Sequence, residues 1–295
     1  MVLGGGSNVL FNTDKTSLDI LLIETKGIEI LVQNENSDLI EIAAGENWHE
    51  FVLWSIEKGY GGIENLSLIP GTIGAAPIQN IGAYGVELKD VLHSVNVYDI
   101  EKKHSFTLHK SECKFGYRDS IFKTTHKGKF IITSICLELT KSKHKITVNY
   151  GAITKELEAN SIIDPTPKQI SDTVIKIRSS KLPDPKVLGN GGSFFKNPIV
   201  PKAKLDELLS EYENVPNYPA ADDLVKLPAG WLIEKAGWKG QRIGDVGCHK
   251  DQALVIVNYG NATGAEIWNH AMKVQNSVQE KYGIKLTPEV NLISE

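Results

Sequence analysis

In the first 150 residues, hydrophobic positions occur in short β-rich runs that polar turns separate. This pattern is typical of β-strands bounded by turns. It predicts strands over residues 18–24, 27–33, 39–44, 93–100, 104–108, 130–140 and 144–150. The runs 93–100 and 104–108 lie on either side of the polar triplet 101–103, so they predict a β-hairpin.

Helical periodicity follows three capping signals, in each of which an Asn or Thr precedes a Glu or Gln by three positions. The pairs are Asn47 with Glu50, Thr166 with Gln169, and Thr263 with Glu266. Gly59 and Gly283 end the first and third helices, because glycine is favoured just after a helix. Further apolar runs predict helices over residues 201–212 and 229–236 and a strand over 253–258.

The segment 181–186 interrupts the helical pattern that starts at Thr166. Its sequence, Lys-Leu-Pro-Asp-Pro-Lys, contains two prolines, which do not continue a helix. A chain of 295 residues is also long for a single core. We therefore expect two domains, residues 1–181 and 182–295.

Residues 69–85 form an uncharged stretch with four glycines, Gly71, Gly74, Gly82 and Gly85, interleaved with isoleucines. A second glycine cluster, residues 4–6, opens the chain. Glycine lets a backbone approach a ligand closely, and consecutive N–H groups in such turns bind anions. The two clusters together predict a cradle for a phosphorylated cofactor, or else two glycine-rich turns of a β-rich protein.

Composition narrows the classes of function. Hydrophobic residues make up 41% of the chain and charged residues 23%, as in ordinary globular proteins. The net charge of −4 predicts no nucleic-acid partner, and no apolar run is long enough to predict a membrane span. Three cysteines favour a reducing cytoplasm, without a disulfide framework or a metal site.

Three polar positions are candidates for chemistry. Ser193 follows two glycines and precedes two phenylalanines, so it could deliver a proton or could simply cap a turn. Arg118, next to Tyr117, could form a fork for a carboxylate or phosphate, or pair with Asp119 at the surface. Glu289 heads a C-terminal strand, where an acidic residue is usually only solvated.

Several common motifs are absent. Ser193 is not in a Gly-x-Ser-x-Gly sequence, so no nucleophile elbow is predicted. The glycine-rich stretch matches neither the Rossmann fingerprint nor the phosphate-binding P-loop. No spacing of His and Cys suits zinc.

Seven blocks of sequence resemble the UDP-N-acetylenolpyruvoylglucosamine reductase (MurB) family of bacterial cell-wall synthesis. They are residues 4–10, 44–48, 69–85, 115–123, 181–197, 227–236 and 288–290, in order over nearly the whole chain. The resemblance implies an α+β protein, in which an FAD-binding domain of the vanillyl-alcohol-oxidase (PCMH) type precedes a smaller α+β substrate domain. Members carry a β-α-β segment ahead of the first glycine turn, and we expect the FAD domain here to lack it.

The resemblance also implies an activity. NADPH would reduce a non-covalently bound FAD, which would reduce the enolpyruvyl double bond of UDP-N-acetylglucosamine enolpyruvate to give UDP-N-acetylmuramate for peptidoglycan. The implied partner is this UDP-linked amino-sugar enolpyruvyl ether, with no nucleic acid and no membrane. Two alternatives stay open: a flavin oxidase of the same superfamily, and a truncated chain without flavin or activity.

Individual residues take roles from the same resemblance. Ser193 matches the proton donor, and Arg118 and Glu289 match residues that act at the enolpyruvyl group. Substrate-binding positions are Tyr117, Tyr150, Lys181, Asn197 and Gln252, of which Tyr150 marks the subtype with an extra loop. Cofactor-binding positions are Gly4, Gly5, Gly6, Ser7, Asn8, Pro70, Gly71, Gly74, Ala75, Asn80, Gly82, Ala83 and Tyr84. No metal is implied.

Overall fold

The computed structural model describes residues 1–13 and 17–294, and the chain divides into two compact units. Unit 1 comprises Met1–Gly6 and Asp19–Ser180, and unit 2 comprises Ser7–Leu18 and Lys181–Glu295. Each unit combines helices with antiparallel strands, which confirms the predicted α+β class. The segment Ser7–Leu18 belongs to unit 2, whereas the sequence analysis assigns it to the first domain.

The elements are numbered in chain order. The strands are β1 (Val2–Leu3), β2 (Val9–Phe11), β3 (Leu21–Leu22), β4 (Ile28–Gln33), β5 (Ser37–Ala43), β6 (Gly82–Ala83), β7 (Val86–Glu87), β8 (Leu92–Asp99), β9 (His104–His109), β10 (Phe130–Thr140), β11 (Gly189–Ser193), β12 (Ile199–Pro201), β13 (Tyr218–Pro219), β14 (Leu224–Lys226), β15 (Arg242–Ile243), β16 (Val246–Cys248), β17 (Val255–Asn258) and β18 (Asn291–Ile293). The α-helices are α1 (Trp48–Glu57), α2 (Leu88–Val91), α3 (Gly151–Ala159), α4 (Pro167–Lys181), α5 (Lys202–Glu211), α6 (Ala229–Lys235) and α7 (Gly264–Tyr282). Segments Glu64–Leu66 and Ile73–Gln79 are 3₁₀-helical.

A five-stranded antiparallel sheet in the order β4-β5-β10-β8-β9 forms the centre of unit 1. β5 alternates between buried and partly exposed positions, so Ile40 and Ile42 point into the core. Trp48 and Phe51 of α1 lie in the same core cluster. Burial of side chains of this size contributes about 1.5–3 kcal/mol each, so this cluster holds α1 on the sheet.

The predicted hairpin is confirmed, since Ser94–Asp99 of β8 pair with the whole of β9. The Asp99 carboxylate accepts hydrogen bonds from the backbone N–H groups of Glu101 and Lys102, at 3.0 and 2.9 Å. Such Asx turns satisfy the backbone locally, which is why the polar triplet could be recognised from the sequence.

The three predicted helix starts are also confirmed. Asn47 Oδ1 accepts from the N–H of Glu50 at the start of α1, and Thr263 with Glu266 forms a reciprocal capping box at α7. Thr166 and Gln169 bond in the same manner ahead of α4. The glycines after α1 and α7 have positive φ values of 82° and 67°, which a glycine adopts without strain.

The predicted strand over residues 144–150 is wrong. β10 already pairs with β5 on one side and β8 on the other, so this sheet leaves no free edge at β10 for the next segment. The segment instead packs Ile146, Val148 and Tyr150 on a separate small core under α3 and α4. The helix α3 that follows was not predicted.

Unit 2 contains the sheet β11-β17-β16-β15, the smaller sheet β12-β14-β13, and a parallel pair of β18 with β2. Its core includes Leu232 of α6 and the predicted inward face of α7, Ala271, Val274 and Val278. The predicted helices 201–212 and 229–236 correspond to α5 and α6, and the strand 253–258 to β17. Among the described residues, no helix is long and apolar enough to cross a membrane.

Candidate active site

The two glycine clusters of the sequence lie side by side in unit 1. A Cβ atom on Gly4 would stand 2.3 Å from Thr72 Oγ1, and one on Gly5 would stand 3.2 Å from the Cα of Gly71. A side chain at Gly4 would therefore force the two segments apart. Gly6 has open space around it and a φ of 66°, so its requirement is conformational. The two clusters form one continuous backbone surface.

Backbone hydrogen bonds fix the second cluster to the sheet. The Gly71 carbonyl accepts from the N–H of Trp48 at 3.0 Å, and the Gly74 N–H donates to the Ala44 carbonyl at 2.8 Å. A Cβ on Gly74 would lie 2.7 Å from that of Ala44. The segment that carries Pro70 to Ala75 is thus held tightly against the end of β5 and the start of α1.

The side chain of Asn80 links several loops near the glycine clusters by hydrogen bonds. Its side chain is fully buried, donates to Glu87 Oε2 and to the Gly116 carbonyl, and accepts from the N–H of Lys89. Both amide hydrogens are used within unit 1, so the side chain fixes these loops to one another.

A two-residue hairpin turn presents Tyr84. β6 and β7 pair with each other, and the two residues between them, Tyr84 and Gly85, have φ values of 49° and 84°. Positive φ at both positions is the requirement of a type I′ turn. The Tyr84 carbonyl accepts from the buried amide of Asn65 at 3.0 Å, which holds this unusual conformation in place.

Arg118 reaches the same hairpin from another loop. Its guanidinium donates to the carbonyl of Gly82 and lies 5.5 Å from the ring centroid of Tyr117. A Cβ on Gly82 would be 3.0 Å from Arg118 Nη1, so glycine at this position makes room for the guanidinium. Arg118 itself has a φ of 51°, held by the turn in which Gly116 and Asp119 exchange backbone hydrogen bonds.

Arg178 of α4 joins this group, although the sequence analysis did not select it. Its guanidinium hydrogen-bonds the hydroxyl of Tyr84, and its Nε atom is buried without a hydrogen-bond partner. Burial lowers the pKa of Arg178 from its ordinary value, and the nearby charge of Arg118 acts in the same direction. The sequence does contain an indication of this placement. Arg178 follows Val174 by four positions, which puts a charged residue on the apolar face of α4.

Two further side chains border these arginines. Burial and the charge of Arg178 lower the pKa of His49, whose Nδ1 accepts from the N–H of Leu68 at 3.0 Å. The ring of Tyr150 lies edge-on to that of Tyr84, with centroids 5.3 Å apart, at the N-terminus of α3. Tyr150 therefore has its orientation set by the residue at the tip of the β6–β7 hairpin.

In unit 2, Ser193 occupies the exposed end of β11. The pairing of β11 with β17 shifts register between Asn190 and Ser193, and Gly192 has a φ of 71°. The Asn190 side chain shapes this bulge, accepting from the N–H of Gly192 and donating to the carbonyls of Pro183 and Leu188. Bulges of this kind re-aim a side chain away from the regular pleat.

Glu289 lies on the extended segment next to Ser193. Its N–H donates to the carbonyl of Phe194 at 2.8 Å, and its own carbonyl accepts from the Asn8 side chain at 3.1 Å. The Ser7 carbonyl lies 4.0 Å from the position a Cβ on Gly191 would take. Unit 2 therefore brings together the predicted catalytic Ser193 and Glu289 with Ser7 and Asn8.

Asn197 and Gln252 meet at one end of α6. Asn197 Oδ1 accepts from the N–H of Ala229 at 2.9 Å, and Gln252 Oε1 lies 3.0 Å from the position a Cβ on Gly230 would take. Lys181 is the last residue of α4 and is exposed. The predicted catalytic residues are thus distributed over both units, with Arg118 in unit 1 and Ser193 and Glu289 in unit 2. Within the described ranges no cluster of three His, Cys, Asp or Glu residues could hold a metal.

Comparisons with known proteins agree with these features. Residues 1–102 match the family model of an FAD binding domain, and residues 184–293 match that of the UDP-N-acetylenolpyruvoylglucosamine reductase C-terminal domain. A curated UDP-N-acetylenolpyruvoylglucosamine reductase from Flavobacterium johnsoniae is 52% identical over 99% of this chain and 86% of its own. One of the same name from Chromobacterium violaceum is 49% identical over 97% and 84%.

The fold has a solved counterpart. The crystal structure of UDP-N-acetylenolpyruvylglucosamine reductase from Thermus caldophilus superposes with a TM-score of 0.63, covering 99% of this chain and 84% of that one. Its identity of 22% makes it evidence for the fold alone. The curated relatives, by contrast, match at about half of all positions over nearly the full chain. On these grounds the chain belongs to the UDP-N-acetylenolpyruvoylglucosamine reductase family.

Proposed function

We propose that this chain reduces UDP-N-acetylglucosamine enolpyruvate to UDP-N-acetylmuramate, with FAD as cofactor and NADPH as reductant, for peptidoglycan synthesis. The observation that carries the proposal is the placement of Ser193 and Glu289 on hydrogen-bonded neighbouring segments of unit 2. A proton donor and a carboxylate on adjacent segments suit the saturation of a polarised double bond, in which a proton must reach the carbon after hydride transfer.

The glycine surface of unit 1 fits FAD. Gly4, Gly5 and Gly71 leave backbone without side chains where a diphosphate would have to approach, and such backbone cradles bind anions. The proposed contacts extend over Gly6, Ser7, Asn8, Pro70, Gly74, Ala75, Gly82 and Ala83. No His or Cys occurs in these segments to form a covalent link, so FAD would be held non-covalently.

When bound, FAD supplies the hydride chemistry, accepting hydride from NADPH and passing it to the terminal carbon of the enolpyruvyl ether. Negative charge then develops on the adjacent carbon and its carboxylate. Arg118 would stabilise this charge, because its guanidinium is fixed in advance by the Gly82 carbonyl and the Tyr117 ring.

Ser193 would then donate its hydroxyl proton to that carbon. A serine hydroxyl is a weak acid, so the transfer depends on placement, and the β11 bulge supplies that placement. Glu289 would orient or polarise the developing intermediate from the neighbouring segment. The atoms balance, because one hydride and one proton saturate the double bond.

The remaining predicted contacts would bind the rest of the substrate. The Asn197 oxygen caps α6, its amide nitrogen would donate to the substrate, and Gln252 lies at the same end of this helix. Tyr150, which lies edge-on to Tyr84, would cover the substrate, and Lys181 would contact its anionic part. The cysteines are free, which supports a cytoplasmic location.

The test separates the two half-reactions. In Ser193→Ala, we expect NADPH to reduce the bound flavin at the wild-type rate in anaerobic stopped-flow experiments, since this step requires no proton on the substrate carbon. Reoxidation by the enolpyruvyl substrate should fall by orders of magnitude. Equal slowing of both half-reactions would assign Ser193 a structural role, and fast reoxidation by air without substrate would identify an oxidase instead.

A further inference from the structure

The chain contains three arginines, Arg118, Arg178 and Arg242, among many lysines. Arg242 has ordinary surface partners, since it pairs with Asp245 at 2.9 Å and lies over the ring of Tyr259. The other two are close together in unit 1. Arginine is preferred to lysine where a planar, permanently charged fork must be held in a fixed place.

The surroundings of Arg178 differ from those of Arg242. The guanidinium hydrogen-bonds a neutral partner, the Tyr84 hydroxyl, and Nε is buried without a partner. Within residues 1–13 and 17–294, the charged and titratable groups that interact with it are Arg118, Tyr84 and His49, none of which is a carboxylate. Neither Arg118 nor His49 supplies a counter-charge, because Arg118 is a cation and the pKa of His49 is lowered by burial and by the charge of Arg178.

A partly buried cation without a counter-ion is unfavourable unless something negative completes the site. Arg178 is also firmly placed. It lies on the four-turn helix α4, whose Ile170, Val174 and Ile177 are buried in the small core of unit 1. The hydrogen bond between Ser67 and Ser171, 2.8 Å between oxygens, joins this helix to the segment that precedes the glycine stretch. The site therefore offers a fixed donor with one unused N–H.

We propose that Arg178 is a cofactor-contacting residue, which stabilises the negative charge that the flavin ring of FAD acquires on reduction. This inference rests on the proposed function. The ring, and not the diphosphate, is the favoured contact, because Arg118 is proposed to act where hydride is transferred and Arg178 lies beside Arg118. Arg178 thereby raises the reduction potential of the bound flavin and favours its reduction by NADPH.

The test measures the potential of the bound flavin by equilibration with a reference dye, in the absence of NADPH and substrate. In Arg178→Gln, we expect the ratio of reduced to oxidised flavin at a given potential to fall about tenfold, which for a two-electron couple is a shift of ~30 mV to more negative potential. Arg178→Lys, which keeps the charge, should retain most of the wild-type potential. Lys168→Gln is the matched control, because it removes a positive charge from an exposed position of the same helix and should leave the potential unchanged.

Each outcome decides the proposal. If Arg178→Gln fails to retain FAD while Arg178→Lys retains it at near wild-type potential, the charge requirement is supported. An unchanged potential in Arg178→Gln, or loss of FAD from both variants, overturns it. If Arg178→Gln keeps its potential but raises KM for the enolpyruvyl substrate, the anion is the substrate carboxylate and the inference fails, while the proposed function stands. Absence of FAD from the wild-type chain would instead refute the proposed function.

Discussion

Replacement of Arg118 by lysine separates charge stabilisation from substrate docking. Lysine keeps the positive charge but loses the planar fork. In the structure this fork has little freedom, because it donates to the Gly82 carbonyl, faces the Tyr117 ring, and approaches Gly82 so closely that a Cβ there would lie 3.0 Å from Nη1. A lysine ammonium has three donors but no planar fork, so it would not reproduce the fixed arrangement of donors that the guanidinium presents here.

The magnitude follows from this geometry. If Arg118 meets the charge that develops after hydride transfer, its loss resembles the loss of a preorganised donor in an oxyanion hole, about 2.7–4 kcal/mol or 10²–10³-fold in kcat. If it only holds the ground-state carboxylate, KM rises and kcat is unchanged. We expect the first result, because the surroundings of Arg118 screen charge less than bulk water does.

Steady-state kinetics at saturating NADPH provide the assay. Arg242→Lys is the control, since it makes the same change at a surface arginine in unit 2 and should leave kcat unaltered. Gly82→Ala perturbs the same geometry without changing any charge, because the added methyl would crowd Glu87 Cγ at 2.9 Å and both Arg118 Nη1 and the Val86 carbonyl at 3.0 Å. A normal kcat with raised KM in Arg118→Lys would refute the reasoning and make Arg118 a docking residue.

Three further predictions follow from the structure. Acid precipitation should release FAD into the supernatant, because the proposed cradle offers no covalent attachment; colour retained in the pellet would contradict this. Gly74→Ala should reduce the free energy of unfolding in urea by about 1–3 kcal/mol through overpacking against Ala44, whereas Gly128→Ala, in open space, should show only backbone strain. Burial, with the charge of Lys273, lowers the pKa of His270, so the unfolded state binds more protons below its ordinary value of 6.5. Stability should therefore decrease as the pH falls from 6.5 towards the folded pKa, and a urea series of His270→Gln should show a flatter pH dependence; an equal slope would refute the assignment.

Features that the chain forms locally were predicted from the sequence. The helix starts at Asn47, Thr166 and Thr263 depend on side chains three residues away from their partners, and the Asp99 turn closes within three residues. Gly59 and Gly283 likewise mark helix ends locally, because each is the glycine of positive φ that follows its own helix. Each of these signals is complete within one turn of chain, so no tertiary knowledge was needed.

Features that depend on distant partners were not predicted from the sequence. Residues 144–150 have a strand-like pattern, but whether they pair depends on β10, whose two sides are already occupied. Arg178 falls on an apolar helix face, where its sequence neighbours do not show that Tyr84, nearly a hundred positions earlier, provides its hydrogen bond. The site residues matched by family resemblance came from motifs, and their contacts remain predictions until the variants are measured.

The pairing of β2 with β18 has a consequence for how the protein is made. Asn8 and Glu289, joined by a hydrogen bond, are 281 positions apart, so this part of unit 2 cannot form until nearly all of the chain has been synthesised. The main sheet of unit 1 needs only residues 28–140 and could assemble while the ribosome is still translating. Contacts of such long range close late and slowly, and until then β2 exposes an unpaired edge that chaperones would recognise. A nascent chain that ends before residue 291 should therefore contain a folded unit 1 and an incompletely folded unit 2.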